Sequence, residues 1–417
     1  MIITVNNAKI GAKCSCYLCV EYMIKDIIFT KAQELEKDLV QVRRHLHQYP
    51  ELSEQESNTM NFIDSELNKL SIPHQCNIGG YGITGHLKGS KEDGPVILLR
   101  ADIDALPIHE TNHTDYCSKI DGVMHACGHD VHATCLIGAL AILNPLRDRF
   151  PGTIKFVFQP AEEKLPGGAT RIIASGFLEQ PRPDVALALH VFPNLEVGTC
   201  GFRSGMYMAS CDELYITIKG RGGHAAIPAE LNNPLYIAAE LICELEQLAL
   251  RLSASDTPTV LCFGDLHAHG ATNVVPDRCS LSGTFRTMNE PWRSHCHEEI
   301  IQIIKNVAAK RSAVIDCNLV KGYPYLINDE QVTFKAIQSA RNYLGESNVR
   351  NLDIRMASED FAYYSQIIPS CFFRLGTGNK QKGITAPVHT STFDIDEKAL
   401  VVGSGLLAYM AIEFLNS

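Results

Sequence analysis

A chain of 417 residues is too long for one compact core of ordinary size, so two folded units are expected. Its 45% hydrophobic and 20% charged residues are those of a soluble globular protein and exclude a largely disordered one. The net charge of -10 and a pI near 5.9 leave no cationic surface, which excludes nucleic acid and anionic membrane as natural partners.

The first thirty or so residues lack a basic segment followed by a continuous apolar one, so they do not read as a secretory signal. With no oxidising compartment indicated, the 15 cysteines are expected to be mostly reduced, buried thiols of a cytoplasmic protein. Cys14, Cys16 and Cys19 cluster, but no downstream pair stands at the spacing of a structural zinc site. Residues 1–30 are therefore expected to form a loose extension. From Glu34 to Gln48, Leu35, Leu39, Val42 and Leu46 fall at helical spacing, and the fold proper starts with that amphipathic helix.

PVILLRADIDALP, from Pro95 to Pro107, begins as a continuous apolar run and ends in acids, the pattern of a buried strand that delivers polar groups at its end. TIKFVFQPAEE and PDVALALHVFP repeat it. Helix-length stretches such as Ala133 to Leu143 separate the three, which predicts an α/β fold with a largely parallel sheet and a ligand site beyond the strands' carboxyl ends. The longest apolar stretch lies within Cys135 to Leu143, far short of the roughly 20 residues of a membrane span. After about Gly201 the texture changes. DELYITIKG and CSLSGTFRT alternate as half-solvated strands do, and Ala238, Leu241, Ile242, Leu245, Leu248 and Leu252 form a helical stripe. Another helix carries Ile300, Ile303, Ile304 and Val307. Residues 204–313 thus read as an inserted α+β unit, and 31–203 with 314–417 as a discontinuous catalytic unit.

The chemistry gathers at the strand ends. Met124 to Asp130, MHACGHD, brings Cys127 and His129 together in a Gly-containing loop, although a Cys-x-His pair alone is a weak indication of metal. Glu162 and Glu163 follow the second strand, His190 ends the third, and His389 stands in APVHTSTFD. Two acids side by side after a buried strand require nearby positive charge. Imidazole, carboxylate and thiolate together suit zinc or manganese, with nickel or cobalt also compatible, and do not suit calcium. Five ligands exceed one tetrahedral ion, so two divalent metal ions are expected, with one glutamate left free as proton shuttle.

RADIDALP, MHACGHD, FQPAEE, LALHVFP, GRGGHAAIP, ATNVVP, GTFRT, SEDFAYY and APVHTSTFD, in this order, resemble the M20 metallopeptidase family from about Leu35 onward. Within it they look like the amidohydrolase branch, which includes hippurate hydrolases, N-acyl-amino-acid and N-acetyldiaminopimelate deacetylases and plant auxin-conjugate hydrolases. The resemblance implies Cys127, His129, Glu163, His190 and His389 as ligands of a binuclear centre and Glu162 as general acid/base. It implies that the insert is a lid and dimerisation unit, and that His224 reaches the partner subunit's site to hold the oxyanion. It further implies that Asp104 orients a metal ligand, and that Asn273 and Arg286 contact a substrate carboxylate. Asp102 stands near the position of a metal-binding histidine in the peptidase branches. The implied activity is hydrolysis of N-acyl amino acids. A dipeptidase or aminoacylase acting on other amides, or a non-catalytic metal-binding descendant, would share much of this pattern; the complete set of acids and histidines argues against the last.

Overall fold

The structure, a computed structural model, describes residues 17–90, 94–253 and 255–416. The larger sheet has eight strands in the order His74–Ile78, Gly82–Lys88, Thr153–Gln159, Val96–Asp102, Val185–Glu196, Ser370–Gly378, Cys200–Phe202 and Val349–Asn351. The four from Thr153–Gln159 to Ser370–Gly378 run parallel and include the three predicted from continuous apolar runs. Their alternate residues enter two different cores, Ile97 and Leu99 on one face and Leu98 on the other, which is why neither face could be polar. On the first face the helix His129–Leu143, buried almost all round, packs beneath Lys398–Leu415. The latter is long and apolar enough to cross a membrane, yet 83% of it is buried inside the molecule.

The N-terminal expectation is corrected. A helix spans Tyr17–Glu34, and Ile24, Ile28 and Ala32, at a spacing of four, are buried in the main core. Lys25 Nζ donates to the Asn342 carbonyl at 2.5 Å. Residues 24–30 are thus part of the fold rather than a loose extension. Cys14 and Cys16 lie outside the described residues, as does the side chain of Cys19.

The smaller sheet, in the order Thr259–His267, Arg278–Thr287, Asp212–Lys219 and Val314–Lys321, is antiparallel throughout. Leu214, Ile216, Ile218, Leu281 and Phe285 pack under the helices Pro234–Ser253 and Glu290–Arg311 in a core of their own. The boundary expected at residue 313 moves accordingly. Val314–Lys321 pairs along its whole length with Asp212–Lys219, because its Ile315, Cys317 and Leu319 complete the same core.

The chain passes between the two sheets near Asp212 and again near Gly322, and one side chain ties both passages. The buried Arg293 donates to the Asp212 carboxylate, to the Gly322 carbonyl at 3.1 Å and to Glu290 at 3.0 Å. Asp212 also accepts from His297 Nε2 at 2.6 Å and from the Gly322 N–H at 3.1 Å.

Candidate metal centre

The carboxyl ends of the parallel strands open on a cavity of about 430 Å³ lined by Cys127, Glu162, Glu163, His190 and His389, with His129 buried behind them. Local backbone places each donor. Gly128 sits at φ 82°, and a Cβ there would lie 2.6 Å from Val191 Cγ2, so only glycine lets Cys127 and His129 turn to the same point. His190 is held in the strand Val185–Glu196. Glu162 and Glu163 follow Ala161 at φ 52°, and His389 itself adopts φ 62°, a strained conformation of the kind that collects at functional sites. The His389 N–H donates to the Ala126 carbonyl at 2.8 Å and so fastens the C-terminal loop to the Cys127 loop.

The donor atoms converge. Cys127 Sγ lies 3.4 Å from His190 Nε2 and 3.3 Å from His389 Nε2, which lies 3.4 Å from Glu163 Oε1. His129 Nε2 is 3.9 Å from both Glu162 Oε2 and Glu163 Oε1. Cys127–His129–His190, Cys127–Glu163–His389 and His129–Glu162–Glu163 each lie within 4.8 Å, and the first two share Cys127. His129 Nε2 and Glu163 Oε1 are buried without a hydrogen-bond partner. Buried polar atoms left unpaired are costly, and these two are the groups a cation would satisfy. The residues therefore fit a pair of cations. Two of the three imidazoles also have their other nitrogen engaged, which leaves Nε2 with a lone pair: His190 Nδ1 donates to the Val191 carbonyl at 2.8 Å and His129 Nδ1 to Asp104 at 3.2 Å.

Asp104 also accepts from Ser53 Oγ at 2.6 Å and from the Glu163 N–H at 2.9 Å. Asp102 takes a related role. It accepts from His132 Nδ1 at 2.6 Å, and His132 Nε2 accepts from the Val191 N–H at 2.9 Å. Both nitrogens of His132 are thereby used, so it braces the strand that carries His190 and does not ligate.

Burial and the nearby Glu359, Glu163 and Asp360 carboxylates hold Glu162 well above the usual carboxylate range. For His129, burial opposes the charged form, but Asp102 and the Cys127 sulfur outweigh it and raise its proton affinity well above the ordinary range. The Cys127 sulfur and the Glu163 carboxylate, both close to its Nε2, push His389 up to about 10. In each case the local charges ask for a cation, and a proton is what answers when nothing else does.

The remaining expected residues divide. Arg286 lines the cavity, donating to the Met356 carbonyl at 3.2 Å and to Ser358 Oγ at 3.3 Å. His224 and Asn273 do not line it. They meet on a small exposed ribbon of the smaller unit, where His224 pairs with Val274 and the Ala225 N–H donates to the Asn273 carbonyl. His224 Nδ1 accepts from the Ala226 N–H at 3.1 Å, which puts its proton on Nε2 and turns a donor outward.

Several residues around the site received no role from the sequence. Arg100, fully buried, pairs with Asp102, with Asp360 at 2.7 Å and with Glu359 at 3.0 Å, and Gln159 also donates to Asp360. The Tyr323 hydroxyl donates to the Glu162 carbonyl at 2.5 Å, joining the passage from the smaller sheet to the proposed proton shuttle. Arg355 and Arg374 line the cavity as well. An ionisable residue inside an apolar run, as in LLRAD and FFRLG, is the signal that could have found Arg100 and Arg374.

The profile of Peptidase family M20/M25/M40 matches residues 98–413. N-acetylcysteine deacetylase of Bacillus subtilis (strain 168) is 36% identical over 91% of this chain and 97% of its own length. IAA-amino acid hydrolase ILR1-like 5 of Arabidopsis thaliana is 34% identical over 90% of this chain and 86% of its own. The crystal structure of the Bacillus subtilis YXEP protein, described as a dinuclear metal binding peptidase from M20 family, superimposes with a TM-score of 0.78. It is 32% identical and covers 92% of this chain and 99% of its own.

Proposed function

The chain belongs to peptidase family M20/M25/M40, and from that premise we propose that it cleaves the amide bond of N-acyl amino acids, with two divalent cations held by Cys127, His129, Glu163, His190 and His389. One observation carries the reading: His129 Nε2 and Glu163 Oε1 are buried without partners, and Glu162 Oε2 lies 3.9 Å from that histidine nitrogen. Deacetylation and conjugate hydrolysis, the activities named for the relatives, support the substrate class.

The cations, when bound, supply the positive charge that polarises a carbonyl and acidifies a water. This chain's own groups do the rest. Glu162 takes a proton from the attacking water as the new C–O bond forms, then delivers it to the amine nitrogen as the C–N bond breaks. Its setting among Glu359 and Asp360 suits a carboxyl group that must hold a proton between the two steps. Arg286 receives the substrate carboxylate from the side of the smaller sheet. His224, supplied by a second copy, donates from Nε2 to the developing oxyanion. The smaller unit acts as lid and dimerisation surface. Its edge strand Thr259–His267 exposes Val260 and Leu266, which suits pairing with the same strand of another copy.

The test is release of free amino acid from N-acetyl, N-benzoyl and indole-acyl amino acids by the metal-loaded chain, with dipeptides for contrast and chelated protein as control. Near-normal turnover by Glu162→Ala with metals still bound would sink the mechanism.

A further inference from the structure

Three buried arginines of this chain are matched with carboxylates: Arg43 with Asp130 and Asp394, Arg100 with Asp102, Glu359 and Asp360, and Arg293 with Asp212 and Glu290. Arg374 is 3% exposed and breaks that rule. Its Nε donates to the Tyr207 hydroxyl at 2.9 Å and its Nη2 lies 3.2 Å from the Met208 sulfur, while its guanidinium rests over the Phe372 ring at 5.1 Å. These are neutral partners, and among the described residues Arg374 has no ion pair. It stands directly opposite His190 on the adjoining parallel strand, so the two residues share a face of the sheet.

Arg355 is its neighbour. Arg355 bridges to Met208, and its backbone N–H donates to the Tyr207 carbonyl at 2.8 Å, so both arginines contact the same two residues. The Arg355 side chain lies over Phe192 at 4.9 Å, its Nε is buried without a hydrogen-bond partner, and it too has no ion pair among the described residues. Both line the cavity that holds Cys127, Glu162 and His190. The buried Arg374 guanidinium and the buried Arg355 Nε are thus left without the anion that burial of such groups calls for.

We propose that Arg355 and Arg374 form a second anion subsite, separate from Arg286, and that the substrate carries two carboxylates. This deepens the proposed function and rests on it: one carboxylate is that of the amino acid, the other belongs either to the acyl group, as in a half-amide of a dicarboxylic acid, or to an acidic amino-acid side chain. The fork of each guanidinium suits a carboxylate geometrically as well as electrostatically.

The experiment compares kcat/KM of the metal-loaded chain on N-succinyl-alanine and N-acetyl-aspartate with their neutral isosteres, N-succinamoyl-alanine and N-acetyl-asparagine, using N-acetyl-alanine as reference. At least one dianion is expected to exceed its isostere by about tenfold or more, and the pair that does so names the source of the second carboxylate. In Arg355→Gln, a change in a half-buried side chain, that ratio is expected to fall toward unity. Calorimetric titration of the full chain with succinate gives an independent reading, with affinity expected to drop by about tenfold in the variant. Turnover of N-acetyl-alanine with dianions no better than their isosteres, or a ratio unchanged by Arg355→Gln, would overturn the subsite and leave the amidohydrolase standing. No release from any member of the panel would remove the hydrolytic reading, and the subsite with it.

Discussion

His129 and Asp104 meet through Nδ1 and Oδ1 at 3.2 Å, and that contact leaves His129 Nε2 facing Glu162 and Glu163 with nothing to bond. The carboxylate fixes which nitrogen is free. Asp104→Ala should therefore leave every ligand in place yet weaken cation binding by about 10- to 100-fold. Competition against a chromophoric chelator measures this, and unchanged affinity would show that the histidine orients itself.

Cys127 is common to two of the donor sets, whereas His389 belongs to one. Elemental analysis of purified variants should find Cys127→Ala depleted at both positions, and His389→Ala retaining about one ion per chain. Two retained ions in Cys127→Ala would refute the sharing.

Glu162 is proposed to move protons and not to ligate. Glu162→Gln should keep the metal content of the parent while kcat falls by about 10²- to 10⁴-fold. A parallel loss of metal would instead make Glu162 a ligand.

The proposed contribution of His224 from a second copy predicts complementation. In His224→Ala each chain keeps its own Glu162, and in Glu162→Ala each keeps a usable His224. Mixing the two inactive variants under exchange should restore activity at about a quarter of the sites, because half of the dimers are mixed and each mixed dimer has one intact site. No recovery, with exchange verified by light scattering and a tag, would place His224 in its own chain's chemistry or outside it.

Asp212 joins two strand passages and a helix through Arg293 and His297. Removing its charge leaves the buried Arg293 with Glu290 alone as its anionic partner, so Asp212→Asn should lower stability by about 3 kcal/mol. Burial opposes the Asp212 charge, but hydrogen bonds from Arg293 and His297 outweigh it and hold the carboxyl below its ordinary 3.8. A lowered folded value means the contribution is complete above 3.8 and is lost as pH falls through the lower folded one. Urea midpoints of parent and variant should accordingly differ most near neutrality and converge in acid. A constant gap would show that charge is not what Asp212 provides.

The central strands were legible because a sheet covered on both faces leaves no polar positions: Ile97, Leu98 and Leu99 had to be apolar whichever way they pointed. The donors were legible because they stand at the ends of those runs. What escaped depends on partners distant in sequence. Nothing in VIDCNLVK announces that it pairs with Asp212–Lys219 and not with the larger sheet, since a period of two fits either place. The helix Tyr17–Glu34 was passed over because its apolar positions acquire meaning only against the C-terminal helix, where a Cβ on Gly405 would come within 3.2 Å of Ala32 Cβ. Arg355 was hidden by an ordinary loop, and its significance comes from the carboxylate that no neighbour supplies.

His389 follows the whole smaller unit in the chain, and the helix that roofs His129–Leu143 comes later still, at Lys398–Leu415. A ribosome emits the chain from its N-terminus, so four of the five proposed ligands emerge, and the whole smaller unit follows them, before the fifth exists. The cavity is therefore completed only after the whole smaller unit has been made. A message truncated before residue 389 would yield a chain with an exposed apolar helix and an unfinished site, so that covering of the apolar helix and completion of the donor set depend on the same stretch of chain.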